Sequence, residues 1–191
     1  MDFTYREEKI LKLFSSKMKL SHLDQIKLIY GWRIVIADFK PLFVTYGFAL
    51  IIGCFIETFL IHASFFLFRQ VAFGVHSKNF YLCLIVSCIT FPVSSFLLKN
   101  LDIGIIHIGI TYLIAAVPLL LFAPIGSAVN PIRGSAHAQY LRRKIYIRLS
   151  ILGVTILVLP TTITKFLVAG LLIETFTVLV STIQKESDKE W

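Results

Sequence analysis

The run Leu42–Phe68, LFVTYGFALIIGCFIETFLIHASFFLF, is apolar apart from Glu57, His62 and a few small polar residues. As one helix it would extend about 40 Å. The hydrocarbon core of a bilayer is only about 30 Å thick, so the run predicts one tilted crossing. The whole chain has the same character. Its 191 residues are 57% hydrophobic with a mean hydropathy of +0.80, too apolar for a soluble domain of this size. The expected fold is therefore all-α, a polytopic integral membrane helix bundle forming a single domain over residues 1–191.

Toward the C-terminus lie four more runs long enough, or nearly so, to span: Tyr81–Leu98, Ile103–Phe122, Leu149–Pro160 and Phe166–Ile183. Pro92 and Pro118 fall inside two of them and predict kinks. Toward the N-terminus, Phe3, Ile10, Leu11 and Phe14 recur at near-helical spacing within residues 1–20. They predict a short surface helix opening an amphipathic region over residues 1–40. Leu23–Phe39 is amphipathic too, and either lies flat or crosses as an unusually polar helix, for five to six transmembrane helices in all. The long apolar run begins only at Leu42, so no cleavable signal peptide is expected.

The net charge is +8, but the basic residues flank apolar runs instead of forming a patch on a polar domain. That pattern excludes nucleic acid as the partner and points to the lipid bilayer. The segment Ala123–Arg148 carries Arg133, Arg142, Arg143, Lys144 and Arg148 and no acid, the mark of a basic cytoplasmic loop. Counting crossings from it puts the stretch near residue 76 on the cytoplasmic face and Lys99–Asp102 outside. The same count places Lys40 outside, although residues 1–40 hold eight Lys/Arg against five Asp/Glu. Either Leu23–Phe39 is a sixth crossing, the arrangement favoured here, or Leu42–Phe68 is bent back on itself.

Between the first two long runs lies a polar island, Arg69–Cys83, RQVAFGVHSKNFYLC. A thiolate attacks carbonyls and an imidazole takes a thiol proton near neutral pH, so His76 and Cys83 are a candidate base and nucleophile. On one unbroken helix they would be about 10 Å apart, too far for proton transfer. Ser77, Lys78 and Asn79 permit a turn and a new helix from Phe80 or Tyr81. Cys83 would then lie in a first turn, where unpaired N–H groups favour the thiolate. Gly74 is read as giving the preceding loop its freedom. The bland alternative makes Cys83 a small core hydrophobe and His76 an interfacial side chain.

Glu57, His62, His107 and Glu174 also lie in apolar runs, where ionisable groups are functional candidates. Glu174, about nine residues into its run, is expected to pair a basic side chain or orient His76. A metal site built from His76, Cys83, Cys88 and a carboxylate lacks the paired spacing of zinc sites, so no metal or cofactor is expected. Three cysteines, two of them in apolar runs, do not form a disulfide framework. A small transporter or peptide-binding module using Glu57 and Glu174 is the non-enzymatic alternative, although no internal repeat supports it.

The chain resembles the accessory gene regulator protein B (AgrB) peptidases of Gram-positive bacteria. The resemblance rests on Arg69, Gly74, His76 and Cys83 in the family's order and spacing, on Ala123-Pro124 before a basic segment, and on Ile173-Glu174 in the last run. It implies a membrane cysteine endopeptidase in the bacterial cytoplasmic membrane that removes the C-terminal tail of a short quorum-sensing propeptide. The product would be a cyclic thiolactone or lactone. His76 and Cys83 would be catalytic, His76 within and Cys83 directly after a catalytic segment spanning residues 69–82, with Arg69 and Gly74 in support. The propeptide is the expected partner, together with the lipid bilayer and a second copy of the chain in a homodimer. Two departures stand out: Ala128, Val129 and Asn130 replace a lysine run common in the family, and Ser77 replaces a common alanine.

Attack by the Cys83 thiolate gives a thioester, which keeps enough free energy for a second thiol or hydroxyl to close a ring. Phe68, Phe73, Phe80 and Tyr81 are expected to hold water back. The Cys83 N–H and Gln70 are candidates to stabilise the oxyanion, and Arg69 to bind an acidic part of the substrate or anchor the island.

Overall fold

A computed structural model describes residues 21–74, 80–126 and 131–187. The surface helix expected in residues 1–20, and His76, lie outside them. The described residues form seven α-helices and one π-helical turn, with no strand among them. In chain order they are α1 (His22–Ile51), α2 (Phe55–Ala72), α3 (Phe80–Cys88), the π turn Ile89–Val93, α4 (Ser94–Lys99), α5 (Ile105–Phe122), α6 (Gly134–Val158) and α7 (Thr161–Ser187). Three are long and apolar enough to cross a membrane: α2, α5 and Thr161–Lys185 of α7. Two shorter apolar stretches are Pro41–Ile51 and Leu84–Lys99.

The chain falls into two compact units, Met1–Val44 and Thr45–Trp191. In the first, α1 opens with a reciprocal cap. The Ser21 Oγ accepts from the Asp24 N–H at 3.3 Å, while Asp24 Oδ2 accepts from the Ser21 N–H at 3.3 Å. Two of the donors at the helix start are thereby satisfied. Leu23–Phe39 is part of α1 and not a separate element, and the helix runs on through Pro41.

In the second unit the long run does not form one helix. It breaks at residues 52–54, where Gly53 takes φ 69° and the Cys54 N–H donates back to Ala49 O at 2.9 Å. Hydropathy is continuous across the break, but the backbone is not. The Tyr46 ring then stands 5.3 Å from Phe55 and 5.7 Å from His62, so the end of α1 folds back along α2. Glu57 sits in the first turn of α2, 3.0 Å from Lys99 Nζ.

Three other boundaries differ from the sequence reading. The basic loop is short, since Gly134–Arg148 is the first half of α6. Those residues are polar yet rich in good helix formers, and Leu141 and Ile145 bury one face. The helix expected from Phe166 begins at Thr161, where Lys165 reaches back to Leu101 O at 2.9 Å and Lys99 O at 3.3 Å. Pro92 lies in the π turn, which absorbs its missing N–H, whereas α5 passes Pro118 without a break.

α2 and α7 run in the same direction. Ser64 Oγ donates to Leu167 O at 2.6 Å, and further along Arg69 meets Thr177 at 3.0 Å. Between these points a Cβ on Gly170 would lie 2.8 Å from Ser64 Cβ and 2.9 Å from the Phe65 nitrogen. Lipid tails are as apolar as leucine, so helices in a bilayer gain by close backbone approach and cross-helix hydrogen bonds, here α2 against α7. α5 packs on α7 through Thr175 Oγ1 to Ala115 O at 2.8 Å, and on α6 through Tyr112 OH to Leu149 O at 2.9 Å. Phe68, Leu119, Ile145, Leu171 and Val178 fill the space between them.

Candidate active site

α2 ends at Ala72, and three separate elements hold that end. From the segment after α5, the Ile125 N–H donates to Ala72 O at 3.1 Å. From α6, Arg148 donates through Nη1 to Leu67 O and through Nη2 to Gln70 Oε1 at 3.2 Å. A cation there satisfies carbonyl groups and suits the negative end of the α2 dipole. From α7, Thr177 Oγ1 accepts from Arg69 Nη1 at 3.0 Å, and Glu174 Oε2 lies 3.6 Å from the same nitrogen.

Glu174 is fully buried. Its Oε2 accepts from the Thr177 hydroxyl at 3.0 Å, and its Oε1 has no hydrogen-bond partner among the described residues. Arg69 is 20% exposed, with its guanidinium 5.9 Å from the Phe65 ring centroid. The structure therefore brings Arg69 and Glu174 together. Thr177, which sequence reasoning missed, stands between them. The signal available was its position three residues after Glu174, which places both on one face of a helix.

Gly74 belongs to the same cluster, for a different reason from the one expected. The left-handed residue is Phe73, φ 68°, whose N–H caps α2 by donating to Arg69 O at 3.2 Å. A side chain there costs roughly 1–2 kcal/mol relative to glycine. Gly74 is required by space: a Cβ would collide with Thr177 Oγ1 and the Arg69 guanidinium, and would lie 3.0 Å from the Thr177 carbonyl carbon.

α3 begins at Phe80, so Cys83 is the fourth residue of that helix. Its side chain, like His76, lies outside the described residues. Gln70 is exposed on the Arg148 side of α2. Phe68 is buried in the core, Phe73 packs against it, and Tyr81 is exposed. Cys54 and Cys88 are free thiols, Cys54 donating to Pro92 O at 3.5 Å and Cys88 lying 3.6 Å from Thr45 Oγ1. His62 Nδ1 is 3.1 Å from Tyr46 OH, and its ring stacks on Phe91 at 4.7 Å. His107 is exposed at the start of α5.

The model of the accessory gene regulator B family matches residues 7–178, the stretch that contains every residue of this cluster. The chain belongs to the accessory gene regulator B family. It is 28% identical over 189 residues to an accessory gene regulator protein B of Staphylococcus aureus strain JH9, covering 95% of this chain and 98% of that protein. It is 27% identical over 172 residues to the accessory gene regulator protein B of Staphylococcus intermedius, covering 90% and 91%. The counterpart from Staphylococcus epidermidis is 27% identical over 179 residues, covering 94% and 92%. No solved structure matches the chain. Membership of the accessory gene regulator B family supports a role in agr quorum sensing.

Proposed function

We propose that the chain is a membrane cysteine endopeptidase that removes the C-terminal tail of a short signal propeptide and promotes its cyclisation. The observation that carries this reading is the clamped end of α2. Arg69 and Ala72 are bonded to partners far away in sequence, and Gly74 packs against Thr177, directly before the segment that contains His76. A segment that follows a fixed helix end is a better support for a reacting side chain than one that follows a frayed end.

In this scheme His76 takes the Cys83 thiol proton, and the thiolate attacks the scissile carbonyl. Collapse of the tetrahedral intermediate breaks the peptide bond, and His76 returns the proton to the departing amine of the tail. A thiol or hydroxyl of the retained peptide then attacks the thioester, its proton passing through His76 to the Cys83 sulfur as the ring closes. The test is the protein reconstituted in liposomes with a propeptide bearing an internal cysteine. Cys83→Ala should abolish cleavage, and Cys88→Ala should leave it within about threefold of wild type. Cleavage that survives Cys83→Ala ends the assignment.

The proposed site faces the cytoplasm. The break at Gly53 leaves Pro41–Ile51 as an apolar stretch separate from α2. The positive-inside rule favours a separate crossing by that stretch, because the parity count then puts the eight Lys/Arg of residues 1–40 on the same side as the acid-free run 123–148. Single cysteines at positions 78 and 99, in a cysteine-free background, report the sidedness in whole cells. An impermeant thiol reagent should label 99 and spare 78. Labelling of 78 alone would move the site outside.

A further inference from the structure

The 3.6 Å between Arg69 Nη1 and Glu174 Oε2 is longer than a direct hydrogen bond. Thr177 Oγ1 fills that gap, 3.0 Å from the nitrogen and 3.0 Å from the oxygen. It accepts from the guanidinium. Its one proton has two acceptors in reach, Oε2 and the Glu174 carbonyl oxygen at 2.9 Å. The other carboxylate oxygen has no partner among the described residues. Gly74, two residues before His76, packs so closely on Thr177 and Arg69 that no Cβ fits.

We propose that Thr177 is a positioning residue, whose hydroxyl couples Arg69 and the buried Glu174 to the backbone at Gly74 and so fixes the chain two residues before His76. The inference rests on the peptidase reading above and adds to it a residue outside the polar island. A hydroxyl is required because a methyl of the same size neither accepts from Arg69 nor donates to Glu174. The buried Glu174 and the partly exposed Arg69 then lose their shared contact, and the local backbone relaxes away from the position in which Gly74 fits. Serine keeps the hydroxyl and loses only a methyl.

The experiment compares wild type, Thr177→Ser, Thr177→Val and Thr177→Ala in liposomes, reading kcat and KM for propeptide cleavage. It also reads the rate of Cys83 alkylation by iodoacetamide, resolved by peptide mass spectrometry without substrate. Thr177→Val should lower kcat roughly tenfold to a hundredfold with KM changed less than about threefold, and Thr177→Ala should follow it if the valine protein does not fold. Thr177→Ser should stay within about threefold of wild type in both constants. Cys83 alkylation should slow in Thr177→Val or Thr177→Ala and not in Thr177→Ser. Wild-type kcat and alkylation in the valine and alanine proteins, whatever their thermal stability, overturn the proposal, as does an equal loss in serine. If wild type cleaves no propeptide, the peptidase reading fails, and the alkylation comparison still decides the role of Thr177.

Discussion

Along the α2–α7 seam, charge is buried at two places by two different means. At the end near Gly53, Lys165 is 9% exposed and its ammonium is taken up by the carbonyls of Lys99 and Leu101. Lys99 in turn donates to Gly53 O at 2.7 Å and pairs with Glu57. Main-chain oxygens supply most of the acceptors, and the result is a staple joining the first turns of α7 to the loops at Gly53 and Leu101. At the other place, Glu174 is wholly buried, one of its oxygens is unpartnered among the described residues, and the contact to Arg69 passes through a hydroxyl. A satisfied cation stabilises loops and asks nothing more of its surroundings. An under-satisfied anion depends on each neighbour it has, so small changes there propagate.

The largest effect expected from this contrast is at Arg69. Arg69→Met removes the cation and leaves Glu174 buried, which should cost about 3–5 kcal/mol, read as unfolding of the purified protein in detergent micelles. Adding Glu174→Leu should restore most of that stability, because an apolar pair replaces the ionic one, while propeptide cleavage stays lost. If the single and double variants are equally stable, the buried carboxylate is not the source of the penalty and the contrast collapses.

Lys165→Met should cost about 1–3 kcal/mol, since two loop carbonyls lose a charged donor, with the cleavage rate of the folded fraction unchanged. A slower folded enzyme would show that the staple reaches the site after all. The smallest change is expected at Glu57. Its partner Lys99 is 43% exposed, so Glu57→Gln should shift stability by no more than about 1 kcal/mol. That shift should shrink as salt is raised. A larger, salt-independent loss would place Glu57 among the buried charges.

Much of the candidate site was legible because charge and glycine are conspicuous in an apolar chain. Arg69, Gly74 and Glu174 each broke a hydrophobic pattern, and the structure brings all three together. Thr177 did not break it, since a threonine in an apolar helix commonly turns its hydroxyl back to its own backbone. Arg148 was legible only as part of a positive loop, and its bond to Gln70 depends on α6 lying against α2. Gln70, considered for the oxyanion, has its Oε1 engaged by that arginine.

The division of the long run at Gly53 was equally hidden, because hydropathy reports what surrounds a residue and not its φ. Glu57 in a first turn was the available hint, as an acid favours a helix N-terminus. The helical half of α6 was read as loop for a related reason: polar composition measures distance from lipid, and Gly134–Arg148 is helical with its basic residues outside the apolar stretch.

Composition and periodicity by themselves determined that this chain is a helical membrane protein and marked the ionisable residues inside its apolar runs as candidates, because burial in lipid forbids polar groups without purpose. Only the tertiary structure decided where Leu42–Phe68 breaks, what Gly74 is for and which hydroxyl joins Arg69 to Glu174. The last two depend on contacts between residues more than a hundred positions apart, such as Arg69 with Thr177, and no local pattern encodes which two helix faces will meet.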